Sequence, residues 1–409
     1  MSVTAMPYEH LGQALATDYF YVRETFTDEQ WERFLATRRF VDEEVLPVIN
    51  DYWDPAELPW PLIRRLAQLG IVGEDIEGYG CPAMSPLARG LVHMEVNRGD
   101  GSLGTFLGVQ GGLAMKAIDL LGSESQKERW LAAMARVESI GAFALTEPNH
   151  GSDSVALESS ARREGEEWVL DGRKRWCGFA RNADAILVYA RSSPAGQRSR
   201  HQGISAFLVE KRRGEFPSGL IGRPIPKIGY FGITSWELGF ERLRLPADAL
   251  MGEEGSAFSS GMAELTTARV QTAARAVGCA RGALEDATAY ALERHQFGRP
   301  LAEFQAIRFR LAEIATQIEA ARSLTYTAAE ALDAGEAAVV EASMAKLQAS
   351  EMAEWATSEA LQIFGGNGYT TECAVERHWR DARLTRIIEG TSEIQKHVIS
   401  KRLLDEVRP

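Results

Sequence analysis

The apolar positions divide the chain into three stretches. Residues 1–140 follow a helical period. Thr27 and Gln30 stand at capping-box spacing, and Trp31, Phe34, Leu35, Val41 and Val45 then recur on one face. Pro59 and Pro61 punctuate the chain before a second amphipathic run, Leu62, Ile63, Leu66 and Leu69, which stops at Gly70. The run Ser125-Gln-Lys-Glu-Arg-Trp130 predicts the opening of another helix.

Over residues 141–255 the pattern is that of strands. Glu167-Trp-Val-Leu-Asp-Gly172 ends in an Asp-Gly pair that predicts a hairpin turn. Ala185–Ala190, Ile204–Val209 and Trp236–Phe240 read as strands, and the polar stretch Arg191 to Gly203 reads as an exposed loop. Residues 256–409 return to helix, with Ala-, Leu-, Glu- and Arg-rich runs at 260–295, 301–334 and 337–364 that predict a bundle of packed helices. An α–β–α order is not the strand–helix alternation of a Rossmann fold. Gly365-Gly-Asn-Gly368 also lacks the strand-then-helix setting of a dinucleotide fingerprint.

Composition narrows the partners. The chain of 409 residues carries a net charge of −12, a poor match for phosphate backbones, so no nucleic-acid partner is expected. No run approaches the ~20 apolar residues of a membrane span, so no membrane association is expected either. The opening MSVTAMPYEHLGQALATDYF lacks the basic-then-apolar order of an export signal. Cys81, Cys177, Cys279 and Cys373 are scattered, which reads as reduced thiols in a cytoplasmic protein with no metal site.

Four segments concentrate functional residue types. Phe143-Ala-Leu-Thr-Glu-Pro-Asn-His-Gly-Ser-Asp153 offers backbone N–H groups and hydroxyls suited to a heterocycle edge or a pyrophosphate; a surface loop between domains would read the same way. In Lys174-Arg-Trp-Cys-Gly178, Trp176 suits either a flat cofactor or a core. Arg294-His-Gln-Phe-Gly-Arg-Pro-Leu301 places an arginine at the end of a long helix, where it meets a phosphate or simply the helix dipole. Finally, Gln362–Tyr369 leads to Ile388-Glu-Gly-Thr-Ser-Glu393. There Glu389 beside Ile387 and Ile388 is a carboxylate in apolar surroundings, with a raised pKa suited to a base. It could equally be an acid near the start of the last helix, where Ser392 and Gln395 have capping-box spacing.

In this combination and order, Leu145-Thr-Glu-Pro-x-x-Gly-Ser-Asp153, Phe364-Gly-Gly-x-Gly-Tyr369 and Glu389-Gly-Thr-Ser-Glu393 resemble the acyl-CoA dehydrogenase family of flavoproteins, from about residue 30 to the end. Gly78-Tyr-Gly-Cys81 and Val109-Gln110 resemble its glutaryl-CoA dehydrogenase-like branch. The resemblance implies an α+β multidomain fold: an N-terminal helical domain (1–140), a middle β-barrel-like domain (141–255) and a C-terminal four-helix bundle (256–409). It also implies a homotetramer with FAD held between domains and across a subunit interface.

By the same resemblance, Phe143, Leu145 and Thr146 line the flavin, Trp176 packs on its ring, and Gly151 and Ser152 contact the pyrophosphate, Ser152 also touching the acyl-CoA. Arg294, Gln296 and Phe297 reach the FAD of a neighbouring subunit, with Gln362 and Gly366 on its adenosine half. Thr391 and Glu393 close over the cofactor, while Arg269 and Gly390 meet the substrate. Glu389 matches the base that removes the α-proton as flavin N5 takes the β-hydride, giving a trans-2-enoyl-CoA; the position some branches use instead is Ala268. The electrons of such an enzyme of fatty acid metabolism pass to an electron-transfer flavoprotein.

Two departures bear on chemistry. The family's usual Thr or Ser after Trp-x is Gly178, as in the superfamily's short-chain acyl-CoA oxidases, so an oxidase is an alternative, as is a flavin-binding protein without catalysis. The arginine that holds glutarate's distal carboxylate corresponds to Gly104, and its neighbouring Tyr to Ile388, which argues against glutaryl-CoA. At a net charge of −12, arginines such as Arg269 and Arg294 must form positive islands for CoA.

Overall fold

The computed structural model describes residues 26–53, 55–194, 200–260 and 264–407; the N-terminal twenty-residue reading and part of the 191–203 loop lie outside them. In chain order the elements are helices α1 (Asp28–Phe40), α2 (Asn50–Trp53), α3 (Trp60–Gln68), α4 (Pro86–Gly99), α5 (Gly101–Leu107), α6 (Lys116–Leu121) and α7 (Glu124–Ala135), then strands β1 (Gly141–Ala144), β2 (Ser160–Glu164), β3 (Glu167–Gly178), β4 (Ala185–Arg191), β5 (Ile204–Glu210), β6 (Leu220–Ile225), β7 (Ser235–Pro246) and β8 (Leu250–Met251). Then follow α8 (Ala257–Ser260), α9 (Glu264–Glu293), a hairpin of β9 (His295–Gln296) and β10 (Arg299–Pro300), and α10 (Gln305–Asp333), α11 (Val339–Phe364), α12 (Ala374–Thr385) and α13 (Ser392–Val407). Among the described residues no helix is long and apolar enough to cross a membrane. The chain gathers into two compact units, one of Met1–Asp51, Ser85–Gly104 and Thr266–Pro409, the other of Tyr52–Met84 and Thr105–Leu265.

The first unit is helical. Its α1 starts with the expected capping box, Gln30 N–H donating to Thr27 Oγ1 at 3.2 Å and Thr27 N–H to Gln30 Oε1 at 2.9 Å. Trp31 and Phe34 stack in its core, and the chain continues past Phe40 as a π-helical turn that buries Val41 and Val45. Gly99 packs against that turn, since a Cβ there would lie 2.7 Å from Val41. Buried alanines line α9 (Ala273, Ala276, Ala280), α10 (Ala321, Ala328) and α11 (Ala342, Ala345, Ala349), so small side chains fill the core they share. The same core holds an ionic network. The Glu95 carboxylate accepts from Arg98 Nε and Arg281 Nη1, both at 2.8 Å, and from Arg38 at 3.4 Å, while Glu285 binds the same three arginines. Burial alone would raise Glu285, but these arginines hold it down at about 2.

The second unit carries the sheet, in the order β6-β7-β3-β2-β4-β5-β8 with β1 parallel to β4. Ala185–Ala190 of β4 is buried on both faces, which is why it reads as an unbroken apolar run. The Asp171-Gly172 pair is not a turn. The β2–β3 hairpin turns at Gly165 and Glu166, and Asp171-Gly172 runs on through β3 opposite a bulge of β7, where Glu241 and Arg242 together face Asp171. Asp171 Oδ1 accepts from Arg242 N–H at 2.7 Å, and Gly172 has φ +140° where a Cβ would meet Ser159 Cα at 2.6 Å. The helix expected to open in Ser125–Trp130 is α7, which starts one residue earlier: Ser123 caps it, its hydroxyl accepting from Gln126 N–H.

Candidate functional site

In the sheet unit the expected cofactor residues gather around the end of β1 and the second half of β3. Phe143 is half-buried against Tyr189 at 5.4 Å. The loop that follows is stitched to β3: Arg175 N–H donates to Thr146 O at 2.8 Å, and Lys174 Nζ to Leu145 O at 3.0 Å. Lys174 also meets Glu147 at 2.8 Å, both fully buried, and that carboxylate accepts from Glu158 N–H at 2.6 Å and Ser159 N–H at 2.9 Å. The pair is neutral and saturated. With His150 and Glu158, Glu147 forms the one compact group of metal-type side chains among the described residues, but its carboxylate is already taken by these partners.

Beyond Lys174 it is β3 that bulges, two residues standing against Glu237 alone, so Arg175 and Trp176 both face outward. Trp176 has φ +65° and is 53% exposed, with the Arg175 guanidinium 5.0 Å from its ring. A large aromatic held out of the core on left-handed backbone costs about 1–3 kcal/mol and offers a flat face. Thr146 is half-buried and its hydroxyl has no hydrogen-bond partner among the described residues, while Gly151 and Ser152 are exposed. This set fits a flat heterocycle with polar edges and an anionic tail. Cys177 points into the core, its thiol pushed up to about 12 by burial, as inert packing.

In the helical unit Glu389 sits between α12 and α13 with φ +52°, followed by Gly390 at φ +85°. Its carboxylate has no hydrogen-bond partner among the described residues and is half-buried. Burial holds it above the usual carboxylate range, against the opposing pull of Arg275, Lys346 and Arg269. The surroundings are therefore cationic rather than apolar, as the flanking isoleucines had suggested; Ile387 is half exposed. Arg269 Nη1 reaches Ser343 Oγ at 3.5 Å. Lys346 Nζ donates to Gly390 O at 2.8 Å, and Gln395 Nε2 to Glu389 O at 3.2 Å and Gly390 O at 2.9 Å. Ser392 and Gln395 form no capping box. Thr391 takes the capping place, its hydroxyl facing Ile394 N–H, and Ser392 Oγ donates to Glu351 at 2.6 Å. Glu393 is exposed in the first turn.

The remaining expected residues lie elsewhere in this unit. Arg294, Gln296 and Phe297 stand on the exposed β9–β10 hairpin, whose turn is Phe297 at φ +50° and Gly298 at φ +80°. Gln362 and Gly366 are exposed at the end of α11. A stack of Tyr290 on Phe364 at 4.2 Å, with Asn367 Nδ2 donating to Tyr290 Oη at 3.0 Å, brings the ends of α9 and α11 together. At 1.5 Å rise per residue, Gln362 lies about 24 Å along α11 from Lys346, so this group is separate from Glu389. Sequence reasoning gave no role to Glu147, Lys174, Arg275 or Lys346, and read Gln395 only at capping-box spacing with Ser392. The one local signal was charge inside otherwise apolar or alanine-rich runs.

Family models match three stretches: acyl-CoA dehydrogenase N-terminal domain at residues 27–138, middle domain at 142–243 and C-terminal domain at 256–404. The mitochondrial short-chain specific acyl-CoA dehydrogenase of Bos taurus is 39% identical over 91% of this chain and 89% of its own. The structure of butyryl-CoA dehydrogenase from Megasphaera elsdenii is 35% identical, with TM-score 0.85, covering 93% of this chain and 99% of that one. A glutaryl-CoA dehydrogenase from Mycobacterium smegmatis in complex with FADH2 is 31% identical, with TM-score 0.87, over 95% and 98%. With all three domain models matched in the helix–sheet–helix order, the chain belongs to the acyl-CoA dehydrogenase family and is an oxidoreductase acting on acyl-CoA.

Proposed function

We propose that the protein oxidises an acyl-CoA thioester to the trans-2-enoyl thioester, with FAD as cofactor and Glu389 as the base that removes the α-proton. The observation that carries this is Glu389 itself: a carboxylate on left-handed backbone, free of hydrogen-bonded side chains among the described residues, raised by burial and ringed by Arg275, Lys346 and Arg269. A base needs a free lone pair and a pKa close to working pH, and structural acids in this chain, such as Glu147 and Glu95, have neither. When bound, FAD supplies the acceptor for the β-hydrogen at N5. Leu145 and Thr146 serve its ring edge, Trp176 and Phe143 its faces, and Gly151 and Ser152 its pyrophosphate, Ser152 also meeting the substrate. Arg269 meets the anionic CoA portion, and Gly390 the thioester.

The reading keeps the division at 1–140, 141–255 and 256–409. It includes a homotetramer, supported by the 94% exposed Phe297 and the distance of its hairpin group from Glu389: Arg294, Gln296, Phe297, Gln362 and Gly366 serve a neighbouring subunit's cofactor, while Thr391 and Glu393 close over the chain's own. An electron-transfer flavoprotein is the acceptor, in a cytoplasmic setting supported by four free cysteines. Glutaryl-CoA is not the substrate. A Cβ on Gly104 would run into the Asn97 side chain, which would have to move before that position could carry a distal carboxylate's arginine.

Gly178 favours a second reading, an oxidase, because no hydroxyl stands beside Trp176. Anaerobic titration of the yellow protein with acyl-CoAs of varied chain length, followed by air, separates the two: slow recovery of colour supports the dehydrogenase, and rapid recovery with peroxide the oxidase. Glu389→Gln should keep the flavin and slow its bleaching by about 10²–10⁴-fold or more. Undiminished bleaching would show that another group is the base.

A further inference from the structure

We infer that Lys346 is a positioning residue for this reaction: from α11 its ammonium holds the Gly390 carbonyl and, together with Gln395 of α13, fixes the backbone turn that aims Glu389. The inference rests on the assignment of Glu389 as base.

The turn requires holding. Glu389 is a non-glycine residue at φ +52°, and the next residue is also left-handed, at φ +85°. Single residues of this kind persist only where their surroundings determine them. Two donors do so here, Lys346 Nζ at 2.8 Å on Gly390 O and Gln395 Nε2 at 2.9 Å on the same oxygen and 3.2 Å on Glu389 O. Both side chains are wholly buried. A Cβ on Gly390 would lie 2.8 Å from Gln395 Nε2, so the clamp is closed over a glycine.

A neutral donor would suffice to hold a carbonyl. A buried ammonium with one neutral acceptor is costly unless its charge has use. The charged groups facing it are Glu389 on the turn, Glu351 on its own helix, Arg269 on α9 and Glu393 on α13, and those facing Glu389 are Arg275, Lys346 and Arg269. Burial pulls Lys346 down to about 8, with Glu389 and Glu351 pulling it up, so at neutral pH it is a cation opposite the base. Removing it takes away one of three cations that favour the carboxylate, which moves the titration of Glu389 to higher pH. Lys346 therefore sets both where Glu389 points and the pH at which it is a base.

The test uses the flavin-loaded protein and follows exchange of the substrate's α-protons with deuterium oxide as a function of pH, alongside kcat and KM. Lys346→Met should retain parental flavin absorbance, lower kcat about 10–100-fold with KM within about 3-fold, and move the acid limb of the exchange profile up by about one pH unit. Lys346→Arg should restore the limb. Gln395→Leu, which weakens the clamp without changing charge, should lower kcat and leave the limb in place, and it keeps the test alive if Lys346→Met fails to fold. Parental kcat and an unmoved limb in folded Lys346→Met, or parental kcat in Gln395→Leu, would overturn the inference. If Glu389→Gln exchanges α-protons at the parental rate, the base assignment itself fails; if Glu389→Gln is inert while Lys346→Met is indifferent, only the role of Lys346 fails.

Discussion

Two lysines among the described residues are wholly buried, one in each unit, and both stand beside residues of the candidate site. They are used in opposite ways. Lys174 is matched by Glu147 at 2.8 Å, and that carboxylate is further bound by two backbone N–H groups. Burial pushes Lys174 down and Glu147 up, each is pulled back by the other, and Glu147 ends below its ordinary range. The pair is neutral and closed, and it joins the Leu145–Glu147 loop to the strand that displays Trp176. Lys346 meets only a carbonyl at hydrogen-bond distance, with Glu389 a free carboxylate beyond it. A closed pair gives a fixed surface on which a ring can lie. An open one leaves a group whose protonation is still available for work.

Stability separates the two lysines most directly. Lys174→Met strands the Glu147 charge and should cost about 3–5 kcal/mol, most of which Lys174→Met combined with Glu147→Gln restores. Lys346→Met strands no charge and removes one hydrogen bond to a carbonyl, so it should cost about 1 kcal/mol or less. Urea denaturation followed by far-ultraviolet circular dichroism reads both. Equal losses would mean that the two lysines are equivalent scaffolding.

The difference between these lysines is where the sequence became opaque. Features set by near neighbours were legible: the Thr27–Gln30 capping box, the long alanine-rich helices, and β4 and β5, whose runs are apolar because both faces are covered. Asp171-Gly172 was read as a turn because what meets it inside the strand, the bulge of β7 whose Arg242 N–H binds Asp171, is 71 residues away. The cap of α13 was read one residue late, since Ser392 is the stronger cap former of the two and only Glu351 on another helix claims its hydroxyl. Glu389 was legible as a motif, but its cationic setting was not. Lys346 lies 44 residues from the carbonyl it holds, and a lysine in an alanine-rich helix ordinarily faces solvent.

Alkaline pH deprotonates Lys346 in the fold. Lys346 titrates at about 8 in the fold and at 10.5 when exposed, so between these values the unfolded chain binds the additional proton. Stability contributed by this group is therefore complete above 10.5 and lost as pH falls through about 8. Raising pH from 7 to 10.5 should accordingly stabilise the parent relative to Lys346→Met, by at most about 3 kcal/mol at 1.36 kcal/mol per pH unit. Denaturation midpoints of the two proteins across that range give the difference directly, with other lysines cancelling. A flat difference would mean that Lys346 is solvated as an ordinary surface amine.

The smallest stability change is expected within β3, where two glycines behave as differently as the two lysines. Gly172 is required where β3 passes the β7 bulge, because its φ is +140° and Ser159 Cα would lie 2.6 Å from a Cβ. Gly178 has no such constraint: a Cβ there would meet Ile233 Cγ2 at 3.7 Å, an ordinary contact, on backbone that any residue adopts. Gly178→Ser should therefore change stability by no more than about 0.5 kcal/mol. Since packing does not demand the glycine, what the missing hydroxyl does must be sought in the chemistry beside Trp176. If the parent is an oxidase because that hydroxyl is absent, Gly178→Ser should slow reoxidation by air severalfold while leaving anaerobic bleaching by substrate unchanged. Reoxidation by air at the same rate in both proteins would remove Gly178 as a cause of oxygen reactivity, and a slow rate in both leaves the dehydrogenase reading standing.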